Sequence, residues 1–242
     1  KMSKSLGNTI DPSEKINELG ADTVRLFILF AAPVDKDLEW SDEGIEGSNR
    51  FIKRIWTTIA KNIGSIEKEF SKDPNKLNEE ELNFLIKINK TIEKISYDID
   101  KIQLNTPVAA MMELLNSANK CIDADCDKEL VGYFIYNFLI LLNPFAPHLS
   151  NELWSISKYK NENINETWVT ADKNILNLDK TKMVIQINGK TRGLIEYQNK
   201  KLTKEIIFND AKKDKKINRN LENKEIVKLI YVENKILNII IK

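Results

Sequence analysis

The feature that most constrains this fold is a change of hydrophobic period along the chain. Up to Leu142, apolar residues recur every three or four positions, as on one face of an amphipathic helix. Beyond Lys180 the spacing drops to two, as in half-buried strands. The punctuation agrees. Asp11-Pro12 opens a short helix that Gly20 ends, Asp22 opens a second, and Pro33 closes it. Ser41 caps a long helix striped by Ile45, Ile52, Ile55, Trp56, Ile59, Ile63 and Ile66, expected to run to about Phe70. A second long helix starts near Asn78, and its stripe reaches Ile102. Thr106-Pro107 is expected to cap a third, a fourth covers 128–142, and the Pro144/Pro147 pair breaks the chain before a short helix. Residues 158–180 are polar and Asn-rich and read as a linker. Residues 183–187 and 192–197 form a hairpin around Asn188-Gly189, a helix follows Thr203, and 226–232 and 236–241 are two more strands. The expectation is a mainly α chain, an antiparallel helix bundle followed by a small α+β domain. Its segments are 1–40, 41–157, a linker at 158–180, and 181–242.

Composition excludes several classes. No apolar run approaches the roughly 18 residues of a membrane span, and two cysteines, Cys121 and Cys126, cannot build a disulfide framework. Both are expected as helix-end residues in a reducing, cytoplasmic setting. The near-neutral net charge of +1 conceals an asymmetry. Residues 180–242 hold 16 Lys or Arg against 7 Asp or Glu, about +9, while residues 1–179 sum to about −8. A basic end on an acidic chain suggests a polyanion-binding module.

The first five residues, Lys1-Met2-Ser3-Lys4-Ser5, are the strongest chemical signal. Two ammonium groups and two hydroxyls on a short loop ending in Gly7 suit a mobile anion clamp. Such a clamp accelerates a reaction most where it meets charge that develops only in the transition state.

These residues match the lysine-loop signature of class I aminoacyl-tRNA synthetases, and four further stretches resemble the leucyl branch of that family. They are Gly20-Ala21-Asp22-Thr23-Val24-Arg25-Leu26-Phe27, Lys36-Asp37-Leu38-Glu39-Trp40-Ser41-Asp42, Leu142-Asn143-Pro144-Phe145-Ala146-Pro147-His148, and Val184 to Gly193. The resemblance implies that Lys4 is the catalytic lysine and that Lys1, Met2, Ser3 and Ser5 complete an ATP-binding loop. ATP, with Mg²⁺, would be a substrate of the full-length enzyme. It also implies an anticodon-binding-type bundle and a terminal module that grips tRNA(Leu), in a monomer without membrane contact. The nucleotide-binding catalytic fold and the editing domain of that family are missing from this sequence, so the fragment alone is expected to be inactive and to bind no cofactor. A free-standing tRNA-binding module and an isoleucyl or valyl enzyme are the alternatives.

Candidate RNA contacts are Arg50 and Arg54, one turn apart, then Lys190, Arg192 and Lys200 around the hairpin, and Lys212 and Lys213 in a basic run. No metal site is expected, since two cysteines and the single His148 supply too few ligands. His148 is read as a packing or hydrogen-bonding residue. Trp40, Trp56 and Trp154 are read as core, and Trp168 as a possible pin for the linker. Glu39, Asp42, Glu43 and Glu46 are read as a solvated helix start.

Overall fold

The computed structural model describes residues 10–198, 202–222, 224–233 and 235–242. They divide into two compact units, one ending at Asp172 and one spanning Lys173–Lys242.

The first unit is helical. Its helices are α1 (Pro12–Leu19), α2 (Ala21–Ala31), α3 (Asp42–Asn62), α4 (Glu79–Asp100), α5 (Asn105–Asp123), α6 (Lys128–Leu142) and α7 (Pro147–Ser155). Capping explains most starts. Asp11 accepts from Ser13 N, Ser41 from Gly44 N, and Asn78 and Glu81 form a reciprocal capping box. Helix α6 is the axis of the bundle: 13 of its 15 residues are buried, so it is apolar on every side. It passes close to the turn after α3, where a Cβ on Gly132 would lie 1.8 Å from the Ser65 carbonyl oxygen. Only glycine permits that approach.

Several expected boundaries move. Helix α3 ends at Asn62 and continues as a 3₁₀ turn over Ile63–Ser65, not to Phe70. The stripe persists, with Ile66 fully buried, but the chain turns to lay Ser65 on α6. Trp56 lies off the buried face and is 42% exposed, contrary to its reading as core. Ile102 is also exposed, beyond the end of α4, with a positive φ of 56°. The Thr106 hydroxyl does not cap α5. The N-cap is Leu104, and Thr106 instead donates to the Asp98 carboxylate at 2.6 Å. Asp22 likewise does not cap α2, whose N-cap is Gly20. The cysteines do stand at helix ends, as expected, but they are joined as a local disulfide rather than free.

Residues 158–172 carry buried apolar groups of their own. Ile164 and Val169 are buried, and the Trp154 indole donates to the Glu162 carbonyl at 3.0 Å. Tyr159 packs on Tyr136 and Trp154. Burial, with Glu162 and Tyr159 nearby, pushes the Tyr136 hydroxyl up to about 12. The Trp168 indole donates to Ser96 Oγ on α4.

The second unit has α8 (Lys173–Leu176), β1 (Lys180–Ile187), β2 (Lys190–Gln198), α9 (Lys204–Lys213), α10 (Lys215–Asn218), β3 (Ile226–Val232) and β4 (Ile236–Ile241). The sheet order is β2-β1-β4-β3, with β1 and β4 parallel and both outer pairs antiparallel. Alternation sends Met183, Ile185, Leu237 and Ile239 into one core with Ile207, Ala211 and Ile217 from α9 and α10. The hairpin turn takes positive φ at both Asn188 and Gly189, as a two-residue turn of this kind requires.

Candidate nucleic-acid interface

The five lysine-loop residues, Lys1, Met2, Ser3, Lys4 and Ser5, lie outside the described residues, as does Lys200. What the structure does place is the frame that follows the loop. Helix α7 begins at Pro147 with Ala146 at its N-cap, so no local side chain caps its free N–H groups. The buried Asp22 carboxylate, from α2, supplies that cap from a distance. Its Oδ2 accepts from Leu149 N at 2.7 Å, and its Oδ1 accepts from His148 N at 3.3 Å. His148 Nδ1 lies 2.8 Å from the same Oδ1. Arg25, one turn along α2, donates from Nε to the Pro144 carbonyl at 3.2 Å. Two of the recognisable stretches, 20–27 and 142–148, are therefore two halves of one joint. The sequence alone names no partner for Asp22 or Arg25; the missing cap on α7 is the available signal. His148 has the hydrogen-bonding role expected of it.

On the bundle, Arg50 and Arg54 are both exposed on α3. They are not equivalent: Arg54 Nη2 donates to Asn116 Oδ1 of α5 at 2.6 Å. One turn further on, Thr58 donates to Asn119 at 2.8 Å. Arg50 carries no ion pair among the described residues.

The second unit gathers two basic stretches that are distant in sequence. Gly193 follows Arg192 on β2, and a Cβ there would lie 2.6 Å from Ile217 Cδ1. Ile217 follows Lys216 on α10. Strand β2, which carries the hairpin cations, and α10, which ends the 212–216 run, therefore pack on one another within one unit. Lys190 and Arg192 are exposed and, among the described residues, unpaired. Lys212 lies over the Phe208 ring, 4.3 Å from its centroid. Lys213 pairs with Asp210 at 2.7 Å. Beneath them, burial and then the Asp210 carboxylate push the Tyr197 hydroxyl up to about 12. The head groups of Arg50, Arg54, Lys190, Arg192, Lys212 and Lys213 all sit at the surface, and of these Arg54 and Lys213 have a fixed side-chain acceptor, Asn116 and Asp210. Such an array can meet a polyanion through its phosphates without reading its sequence.

Among the described residues no group of three or more His, Cys, Asp or Glu side chains could hold a metal ion. Glu39, Asp42, Glu43 and Glu46 stay at the start of α3 as helix-terminal carboxylates. No described helix is long and apolar enough to cross a membrane.

The described residues thus form an all-helical bundle and a separate α/β unit whose exposed cations suit a polyanion. The family described as the anticodon-binding domain of tRNA ligase matches residues 81–228, more than half of the chain, and the chain belongs to that family. Residues 1–41 match a second family, tRNA synthetases class I (I, L, M and V). Over its whole length the chain is 38% identical to a leucine–tRNA ligase of Fusobacterium nucleatum and 39% identical to one of Thermosipho melanesiensis. A third, from Brachyspira hyodysenteriae, is 40% identical. The chain spans 29–30% of the length of these curated relatives. The LeuRS of Agrobacterium radiobacter K84, solved as a LeuRS–tRNA–LeuAMS ternary complex, superimposes with a TM-score of 0.79 at 26% identity. That match covers all of this chain and 32% of the other.

Proposed function

We propose that this chain is the tRNA-holding part of a leucine–tRNA ligase and contributes the lysine loop to its active site. The single observation that carries the reading is the end-to-end similarity to proteins named leucine–tRNA ligase, lysine loop included. In the whole protein, the leucine carboxylate attacks the α-phosphorus of ATP, giving leucyl-adenylate and pyrophosphate. A ribose hydroxyl at the end of tRNA(Leu) then attacks the adenylate carbonyl and displaces AMP.

In this reading Lys4 provides positive charge to the departing pyrophosphate, with Lys1, Ser3 and Ser5 shaping the loop and Met2 within it. ATP enters with Mg²⁺ as substrate, and the rest of its site and the leucine pocket lie in parts of the ligase beyond this sequence. The joint made by Asp22, Arg25 and residues 144–149 holds the helices after the loop against the bundle. Arg50, Arg54, Lys190, Arg192, Lys212 and Lys213 neutralise phosphates along the tRNA body. The protein acts as a monomer in the cytoplasm, where its tRNA substrate is used.

The test uses the whole ligase and reads leucine-dependent exchange of pyrophosphate into ATP. Lys4→Ala should slow that exchange by about 10²-fold or more, with tRNA affinity unchanged. Exchange at the parental rate in the Lys4→Ala protein, or exchange driven by another amino acid in the parent, would overturn the assignment.

A further inference from the structure

The loop between α5 and α6 has the hydrogen bonds of a Schellman helix end. Cys126 N donates to the Cys121 carbonyl at 3.0 Å, and Asp125 N donates to that of Ile122 at 3.0 Å. Asp125 takes the left-handed conformation, φ 54°, that the motif requires. In such a motif the third residue before the cap and the second after it touch, usually as an apolar pair. Here those two places hold Cys121 and Cys126, with Cα atoms 5.3 Å apart, inside the range a disulfide needs. The backbone that follows the turn is fixed by other bonds. Asp127 N donates to Glu81 Oε1 at 2.9 Å, and the Asp127 carboxylate caps α6 and pairs with Lys72. Both cysteines are only part-buried, so a small reagent can reach them.

We infer that Cys121 and Cys126 form a reversible oxidation site, a dithiol that a low-molecular-weight disulfide closes and small thiols reopen, on a turn whose backbone is the same in both states. The exchange balances without further reagents. One cysteine thiolate attacks the small disulfide and expels one small thiolate. The second cysteine then attacks the mixed disulfide and expels the other, leaving one protein disulfide and two small thiols. Because the turn already holds the sulfurs together, closure meets little conformational cost in the folded chain, whereas the unfolded chain must first find that arrangement. The equilibrium constant for closure should therefore be larger folded than unfolded, and by linkage the closed form should unfold at higher temperature.

The experiment equilibrates the chain with reduced and oxidised glutathione, natively and in denaturing urea, and counts free thiols and intact mass after acid quenching. The expected result is an intramolecular closure constant about 10-fold or more larger in the native chain, complete reopening by dithiothreitol, and a raised thermal midpoint for the closed form. Cys126→Ser should instead accumulate the mixed disulfide on Cys121. A native constant equal to or below that in urea would overturn the inference. So would formation of intermolecular dimers in place of the closed monomer.

Discussion

The two units bury their apolar surface in opposite ways. In the bundle, α6 is enclosed on all sides, and its neighbours meet it through backbone as well as side chains. In the α/β unit, the sheet buries one face under α9 and α10 and leaves the other open. Leu194, Val184, Ile236 and Val232 form a paired row across all four strands of that open face, with Leu194 and Val232 about half exposed. The charges divide likewise. Arg25 and Arg54 of the bundle hold surface hydrogen bonds to the Pro144 carbonyl and to Asn116, whereas Lys190 and Arg192 of the small unit have no protein partner among the described residues. A centrally packed unit tolerates little change in shape. A one-sided unit tolerates more and displays its charge.

The sharpest way to break that contrast is to add one carbon at each unit's tightest glycine. Gly132→Ala in the bundle drives a Cβ into the Ser65 carbonyl, where only backbone movement relieves the clash. A loss of about 4 kcal/mol, or failure of the helical unit to fold, is expected. At Gly193 of the small unit the obstacles are Cδ1 and Cγ1 of the buried Ile217, at 2.6 and 2.8 Å, so relief there means repacking one core side chain without moving backbone. Urea unfolding followed by helical circular dichroism measures the first. A bundle that tolerates Gly132→Ala would mean its packing is looser than described.

The charge half of the contrast predicts a smaller effect. Reversing Lys190 and Arg192 together to Glu should weaken tRNA binding by about 10-fold or more and flatten its salt dependence. The same change at Arg50 and Arg54 should bind no worse than that, and it should also cost stability, because Arg54 is hydrogen-bonded to Asn116. Filter binding at two salt concentrations, with thermal unfolding of each variant, separates the two. Equal affinity loss with unchanged salt slope at the hairpin would remove it from the interface.

Much of this was legible beforehand, and the reason is local. The Ser41 and Asn78 caps, the span 128–142 and the Asn188-Gly189 hairpin are dictated by neighbours within four residues. The misreadings concern residues whose partners are distant. Asp22 looks like a helix opener by sequence, but its acceptors are used 126 and 127 residues away. Thr106-Pro107 has the form of a cap, yet the Thr106 hydroxyl is taken by Asp98 on the preceding helix. The apolar stripe of α3 continues through Ile63 and Ile66 even where the backbone has turned, so periodicity alone overextends the helix. The lysine loop was legible only as a motif, and its residues lie outside the described ones.

Asp127 tests the junction between α5 and α6 on a finer scale. Burial raises its carboxyl pKa, but Lys72 and the N–H groups of Glu129 and Leu130 outweigh that and hold it below the usual carboxylate value. Glu129 is lowered too, first by the N–H of Ser71. Groups depressed in this way stabilise the fold above the unfolded-state pKa of about 4, and that contribution is lost as pH falls through the lower folded value. Asp127→Ala should therefore cost about 1–2 kcal/mol near neutral pH, and the difference from the parent should shrink below about pH 4. A gap that is constant from pH 7 to pH 3 would show that the carboxylate's charge contributes nothing there.

The smallest predicted effect has the opposite sign. Ile102 follows the end of α4 with φ 56°, a conformation in which a β-branched side chain crowds its own backbone, and its side chain is 62% exposed. The residue therefore contributes strain with little burial to offset it. The turn itself is held by other bonds, since Gln103 N donates to the Asp98 carbonyl at 2.8 Å and Ile102 N to that of Ile99 at 2.9 Å. Ile102→Gly removes the crowding but gives the unfolded chain more freedom, so the two terms partly cancel. A net gain of about 0.5–1 kcal/mol in the helical unit is expected, read as a raised urea midpoint with unchanged slope. Ile102→Ala keeps the positive-φ penalty and should show no such gain. If alanine stabilised the unit as much as glycine, the benefit would come from removing an exposed apolar side chain, and the left-handed backbone would not be its source.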